Sequence, residues 1–153
     1  MAKTLSVAAI KDGTVIDHLP SGSAIIILQL LKLFPGRHRI SLGLNFNSAS
    51  MGFKDLIKIE NRYLTEKEAH DIAVFAPQAT INTIKNYQLT SKISAKLPAI
   101  VERILVCPNL RCITNCESVD TLFSIEEHKQ KVMLRCHFCE KIFEREEIKD
   151  YRP

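Results

Sequence analysis

The sequence predicts an α+β chain in two parts: a helix-covered antiparallel sheet over residues 1–97, then a small antiparallel β unit over residues 98–153. Three observations predict it. The first part alternates runs of strand and helix period in the order strand, helix, strand, strand, helix, strand, which is the split βαβ, or ferredoxin-like, unit with both helices on one face. The last third holds four of the five cysteines as two close pairs, Cys107–Cys112 and Cys136–Cys139. Between the two parts, Ser91–Pro98 is polar and ends on proline, the composition of a connector.

Each element has its own warrant. Leu5–Ile10 alternates apolar with small residues and meets the Asp12-Gly13 turn signal, after which Thr14–Leu19 resumes as an extended run. Ser21-Gly22-Ser23 is read as a helix N-cap for Ala24–Phe34, which is apolar around most of its girth and is stopped by Pro35-Gly36. Arg37–Phe46 alternates with Ile40, Leu42, Leu44 and Phe46 expected on one face. Phe53–Glu60 follows as a strand with Ile57 and Ile59 on one side and Lys54, Lys58 and Glu60 on the other. Thr65-Glu66-Lys67-Glu68 is a capping box opening a helix that ends before Pro77. Ala79–Thr90 reads as one final strand. Beyond the connector, Thr121–Ile125, Lys131–Leu134 and Lys141–Phe143 are short strands.

The C-x4-C and C-x2-C pairs are the spacing of a four-thiolate zinc site. A redox dithiol would open a helix, and the flanks of Cys136–Cys139 alternate like strands instead. The odd cysteine count and an N-terminus without an apolar signal core argue against a secreted disulfide framework and for a cytoplasmic chain. Four thiolates close the coordination shell, so one structural Zn2+ is expected rather than a catalytic one. With fewer than 60 residues, the second part needs that metal to make up for a small core. Cys116 lies four residues past Cys112 and is left as a free thiol.

Charge divides unevenly. Residues 1–97 carry 12 Lys/Arg against 7 Asp/Glu, and residues 98–153 carry 9 against 10. The basic first part invites an anionic ligand. The acidic second part argues against a zinc module binding nucleic acid, whose affinity rests on phosphate contacts. No apolar run approaches the roughly 20 residues of a membrane span, and no nucleophile elbow or phosphate loop is present. Asp17 and His18 are adjacent and, on a regular strand, face opposite ways. Asp17, Lys58 and Lys92 come from three segments that a ferredoxin-like sheet can bring to one edge, where two ammonium groups would suit phosphates and a carboxylate a ribose or base. Spacing alone leaves ordinary solvated lysines as the simpler account.

The stretches Gly13–His18, Lys54–Asn61, Ala76–Thr80 and Leu105–Asn109, together with the four-cysteine spacing, resemble the regulatory chain of aspartate carbamoyltransferase, in order, from about Leu5 to Phe143. The resemblance implies a non-catalytic chain serving pyrimidine biosynthesis. It would pair as a homodimer, bind CTP and ATP (with UTP a third candidate effector) in its first domain, and dock on a separate catalytic chain through its zinc domain. Carried over by position, Asp17, Lys58 and Lys92 would contact the nucleoside and triphosphate. Ala9, Ile10 and Tyr87 would frame the base, and Asn82 and Leu89 would line the same pocket. Cys107, Cys112, Cys136 and Cys139 would hold the zinc, and Asn109, Arg111, Glu140 and Lys141 would meet the catalytic chain. Arg111 stands where the family pattern leads one to expect a smaller polar residue, and Cys116 has no counterpart in it.

Overall fold

The computed structural model describes residues 8–129 and 131–152, which fall into two compact units divided between Lys96 and Leu97. The first unit is a five-stranded antiparallel sheet in the order β2-β3-β1-β4-β5, with β1 Gly13–Leu19, β2 Ile40–Ser48, β3 Gly52–Glu60, β4 Thr80–Lys85 and β5 Gln88–Ser94. Helices α1 (Ser23–Leu30) and α2 (Glu66–Phe75) pack against each other and on the sheet. The expected α+β, ferredoxin-like arrangement is thus present, with β5 added to one edge. Ile16, Ile57, Ile59 and Ile81 of the sheet and Ala24, Ile27, Ile72 and Ala73 of the helices form the buried core.

Gly13, which opens β1, sits at φ 142°, and a Cβ there would lie 2.0 Å from the Ile59 carbonyl oxygen. Only glycine fits that approach. Of the expected Leu5–Ile10 run, Leu5–Val7 fall outside the described residues and Ala8–Ile10 form no strand.

The start of α1 departs from expectation. Its N-cap is Gly22 at φ 91°, with no local side chain capping the helix. The buried Asp55 of β3 does so instead: Oδ2 accepts from the Gly22 and Ala24 N–H groups at 2.8 and 3.3 Å, while Oδ1 accepts from Asn45 N–H at 3.1 Å. A carboxylate at a helix start satisfies orphan N–H groups and complements the helix dipole. Replacing Asp55 with Ala leaves three backbone donors without this partner. The expected cost is about 2–4 kcal/mol of stability, because hydrogen bonds to charged groups are the stronger ones. A thermal or urea unfolding curve measures it, and a loss below about 0.5 kcal/mol would contradict this role.

Helix α1 also stops earlier than Pro35-Gly36 suggests. Lys32 turns left-handed (φ 54°), and the N–H groups of Lys32 and Leu33 reach back to the carbonyls of Gln29 and Leu28. This is a Schellman termination with lysine in the place glycine usually takes. Helix α2 follows its sequence signal. Thr65 Oγ1 accepts from Glu68 N–H, and the Glu68 carboxylate accepts from Thr65 N–H.

Two bulges face the same stretch of β3. In β1 the register shifts between Ile16 and Leu19, with His18 at φ 59°; in β2 it shifts between Gly43 and Phe46, with Asn45 at φ 59°. An extra residue moves the following side chains to the other face of the sheet. Phe46 therefore pairs with Lys54 and packs over Gly43, rather than sharing the Ile40–Leu42 face as simple alternation predicted. The expected single strand over Ala79–Thr90 is in fact the β4–β5 hairpin. Asn86 and Tyr87 form its two-residue turn at φ 52° and 63°, the signs of a type I′ turn. The first half of the expected connector, Ser91–Ser94, belongs to β5.

The second unit is a four-stranded antiparallel sheet, β6 Ile100–Glu102, β7 Leu122–His128, β8 Lys131–Cys136 and β9 Ile142–Glu144, in sequential order. A short helix α3 (Ile113–Cys116) follows the first cysteine pair. Val101, Ile104, Leu105, Phe123, Leu134 and Ile148 are buried aliphatic and aromatic residues of this unit.

Candidate functional site

The first site is built on the sheet face opposite the helices. Strand alternation puts Ile16, Ile57, Ile59 and Ile81 in the core, so Val15, Asp17, Lys58, Asn82 and Lys92 point the other way. Cross-strand pairing sets four of them in one line: Lys58 opposite Val15, Val15 opposite Asn82, and Asn82 opposite Lys92. Asp17 stands two residues from Val15 on the same face. Asp17, Lys58 and Lys92 thus share one face of the sheet, spread from β3 to β5, and do not gather at a single sheet edge as the sequence suggested. The reason is that β5 lies beyond β4 and carries Lys92 alongside it.

The electrostatics follow from this placement. Burial pushes the Lys58 ammonium below its usual range, and the Asp17 carboxylate partly restores it. Lys58 Nζ donates to the Ala8 carbonyl at 2.9 Å, bringing the Ala8–Ile10 segment against the same face. Asn82 Oδ1 is buried and accepts no hydrogen bond among the described residues. A buried acceptor left open in this way invites a ligand donor.

Of the other residues expected here, Ile10 is buried and Ala9 exposed. Leu89 pairs with Ile84 and is largely exposed. Tyr87 occupies the hairpin turn, its N–H donating to the Lys11 carbonyl. Three further neighbours complete this face: Lys54, which strand period places beside Lys58, and His18 and Thr80, which it does not. Lys54 Nζ lies 3.0 Å from an Asp17 oxygen. The β1 bulge also brings His18 beside Asp17, at 3.9 Å, and within 3.1 Å of Thr80 Oγ1. The expectation that Asp17 and His18 face apart fails because His18 is the bulged residue. The bulge itself had no sequence signal.

The second site is the cysteine cluster. The Sγ atoms of Cys107, Cys112, Cys136 and Cys139 all lie within 4.8 Å of one another. The Cys107–Cys139 and Cys112–Cys136 sulfurs are 3.8 and 3.7 Å apart. A tetrahedron with Zn–S bonds of about 2.3 Å has edges of about 3.8 Å, so the donor set fits zinc. Each pair is delivered by a tight turn between or beside strands, and no position is left for water. Burial pushes the Cys107 and Cys136 thiols above their usual range. Burial also acts against the Cys139 thiolate, but hydrogen bonds from Asn109 and from the Lys141 N–H, with the neighbouring sulfurs, bring it down to about 7. Thr114 Oγ1 donates to Cys112 Sγ at 3.2 Å. Cys116 is exposed and outside the cluster.

The residues expected to meet a partner flank these turns. Asn109 and Arg111 lie in the first, with Asn109 Oδ1 accepting from Arg111 N–H, and Glu140 and Lys141 close the second. Leu110, 85% exposed, and the partly exposed Ile113, Phe138 and Ile142 add apolar surface there that the sequence reading did not include.

A polar face carrying several lysines on one unit and a closed four-thiolate cluster on the other describe a two-unit chain with a structural metal site. Comparison with known proteins makes this specific. Residues 5–96 match the family described as aspartate carbamoyltransferase regulatory chain, allosteric domain, and residues 99–149 match that chain's metal binding domain. Proteins named aspartate carbamoyltransferase regulatory chain are similar over nearly the whole length. That of Photobacterium profundum is 46% identical, covering 93% of this chain and 92% of its own. That of Chromobacterium violaceum is 43% identical, covering 99% and 100%. The chain belongs to the aspartate carbamoyltransferase regulatory chain family, and is a regulatory rather than a catalytic subunit. Among the described residues no helix is long and apolar enough to cross a membrane.

Proposed function

We propose that this chain binds nucleoside triphosphates, CTP and ATP first and UTP as a third effector, on the open face of its first unit. Through its zinc unit it passes their effect to an aspartate carbamoyltransferase catalytic chain in the cytoplasm. The observation that carries this reading is the line Lys58–Val15–Asn82–Lys92 with Asp17 beside it. Lys58 and Lys92 supply point charges for phosphates, Asp17 accepts from ribose hydroxyls, and Asn82 Oδ1 offers an unfilled acceptor to a base or sugar donor. Ala9 and Ile10 wall one side of the base and Tyr87 and Leu89 the other, so that base size distinguishes the nucleotides.

Asn109, Arg111, Glu140 and Lys141, on the two metal turns, provide the contacts to the catalytic chain. The exposed Leu110 beside them supports an interface there, since exposed apolar groups gathered among polar ones mark association surfaces. The outer edge of β2 supports a homodimer of regulatory chains. It has no strand partner among the described residues, and Leu42, Leu44 and Phe53 near it are 39%, 46% and 57% exposed. An open apolar edge invites a second copy.

A nucleotide controls a distant active site only through unequal affinity for two quaternary states, and the coupling is reciprocal. The test is a calorimetric titration of CTP and ATP into the chain alone and into its complex with the catalytic chain, with and without substrate analogue. The reading requires saturable binding in both and a nucleotide affinity that changes when the analogue is present. Absence of binding to the chain and to the complex overturns it.

A further inference from the structure

The two metal turns are not built alike. The second spans C-x2-C and closes on its own backbone: Glu140 N–H donates to the Cys136 carbonyl, Cys136 N–H to that of Lys141, and the Cys136 sulfur accepts from the N–H groups of Phe138 and Cys139. The first spans C-x4-C, two residues longer, and begins with Pro108, which has no N–H to give. The Cys107 sulfur has one backbone donor, Asn109. A longer loop costs more to order, and this one has fewer backbone bonds with which to offset it.

Asn115, on α3, supplies the difference. Its side-chain Nδ2 donates to the carbonyl of Cys107 and to that of Asn109, both at 2.8 Å. Both amide hydrogens are therefore spent on one turn, one of them on a metal-site cysteine. The backbone closes the circuit: Cys112 N–H donates to Asn109 and Asn115 N–H to Cys112. Any movement of the Cys107 backbone away from a metal ion must break the Asn115 bond to its carbonyl.

We propose that Asn115 is the positioning residue of the first metal turn, and that its two side-chain hydrogen bonds set how fast the site gives up its metal. It touches no metal itself; it acts through Cys107 and through the loop carrying Leu110 and Arg111. The inference rests on the metal reading of the four cysteines.

The test is the rate of zinc transfer from the full-length, zinc-loaded chain to excess 4-(2-pyridylazo)resorcinol, followed by absorbance, for the native chain and for Asn115→Ala, Asn115→Asp and Ile113→Ala. Removing outer-shell partners of metal ligands typically costs 10–100-fold in affinity, so Asn115→Ala is expected to release zinc at least about 10-fold faster. Asn115→Asp keeps the size but replaces both donors by a carboxylate facing two carbonyl oxygens, and is expected to be faster still. Ile113→Ala removes a partly exposed side chain of the same short helix and is expected to match the native rate. The cobalt-substituted chains are expected to keep a four-thiolate absorption spectrum, placing the change in release rather than in the ligand set. Native release rates in both Asn115 variants, or equal acceleration in Ile113→Ala, overturn the proposal. A native chain that purifies and reconstitutes without zinc would instead overturn the metal reading beneath it.

Discussion

Stripping zinc from the chain is expected to unfold the second unit and to release the chain from its catalytic partner, while the first unit stays folded. The second unit has 57 residues, and beside its cysteines its apolar core is little more than Val101, Ile104, Leu105, Phe123, Leu134 and Ile148. Domains of about that size bury only about 60% of the surface their unfolded chain exposes and are marginal on their own. A structural thiolate site contributes on the order of 10–16 kcal/mol at neutral pH, more than such a core supplies. Hydrogen exchange after chelation is expected to show loss of protection confined to β6–β9, with size-exclusion chromatography showing dissociation. A complex that survives complete zinc loss would refute the docking role.

The same site sets a pH dependence with a definite sign. Metal binding requires thiolates, and burial holds the Cys107 and Cys136 thiols protonated at neutral pH in the metal-free chain. Binding therefore displaces protons, and zinc affinity falls as pH falls. Cys139, at about 7, joins the protons to be displaced only below that pH. A plot of log affinity against pH is thus expected to steepen on going down through about 7.

Lys58→Ala and Lys92→Ala are each expected to weaken CTP and ATP together, because the triphosphate is common to both. Losing one charge-assisted contact costs about 1.5–3 kcal/mol, or about 10- to 100-fold in affinity. Zinc content and docking should be unchanged, since both lysines stand on the first unit. Lys58 carries the greater structural risk, as its Nζ also holds the Ala8 carbonyl. Lys92 is exposed and serves as the cleaner probe. Unchanged CTP affinity in both variants would sink the assignment of this face.

Much of this was legible in sequence because it rested on local rules. The capping box of α2 needs only Thr65 and Glu68, and both bonds form. The cysteine spacing needs only that two short turns carry four sulfurs to one point, and they meet within 4.8 Å. Strand period two put Lys54 and Lys58 together on the face opposite Ile57 and Ile59, as found. What failed did so where a distant group supplied what local rules sought nearby. Asp55, more than 30 residues along the chain, caps α1 in place of Ser21 or Ser23. Lys32, Asn45, His18 and Tyr87 adopt left-handed conformations that glycine usually signals. Each broke a periodicity or ended an element where no local mark stood.

The sequence by itself determined the two-part architecture, the metal ligands and the basic balance of the first unit, because hydrophobic period, cysteine spacing and charge are properties of short stretches. Only the tertiary structure decided that Lys58, Asn82 and Lys92 share one line with Asp17 beside it, that His18 turns back toward Asp17, and that Asn115 braces Cys107. Those relations depend on strand register, on bulges and on loop closure between residues far apart in the chain, which no local pattern encodes.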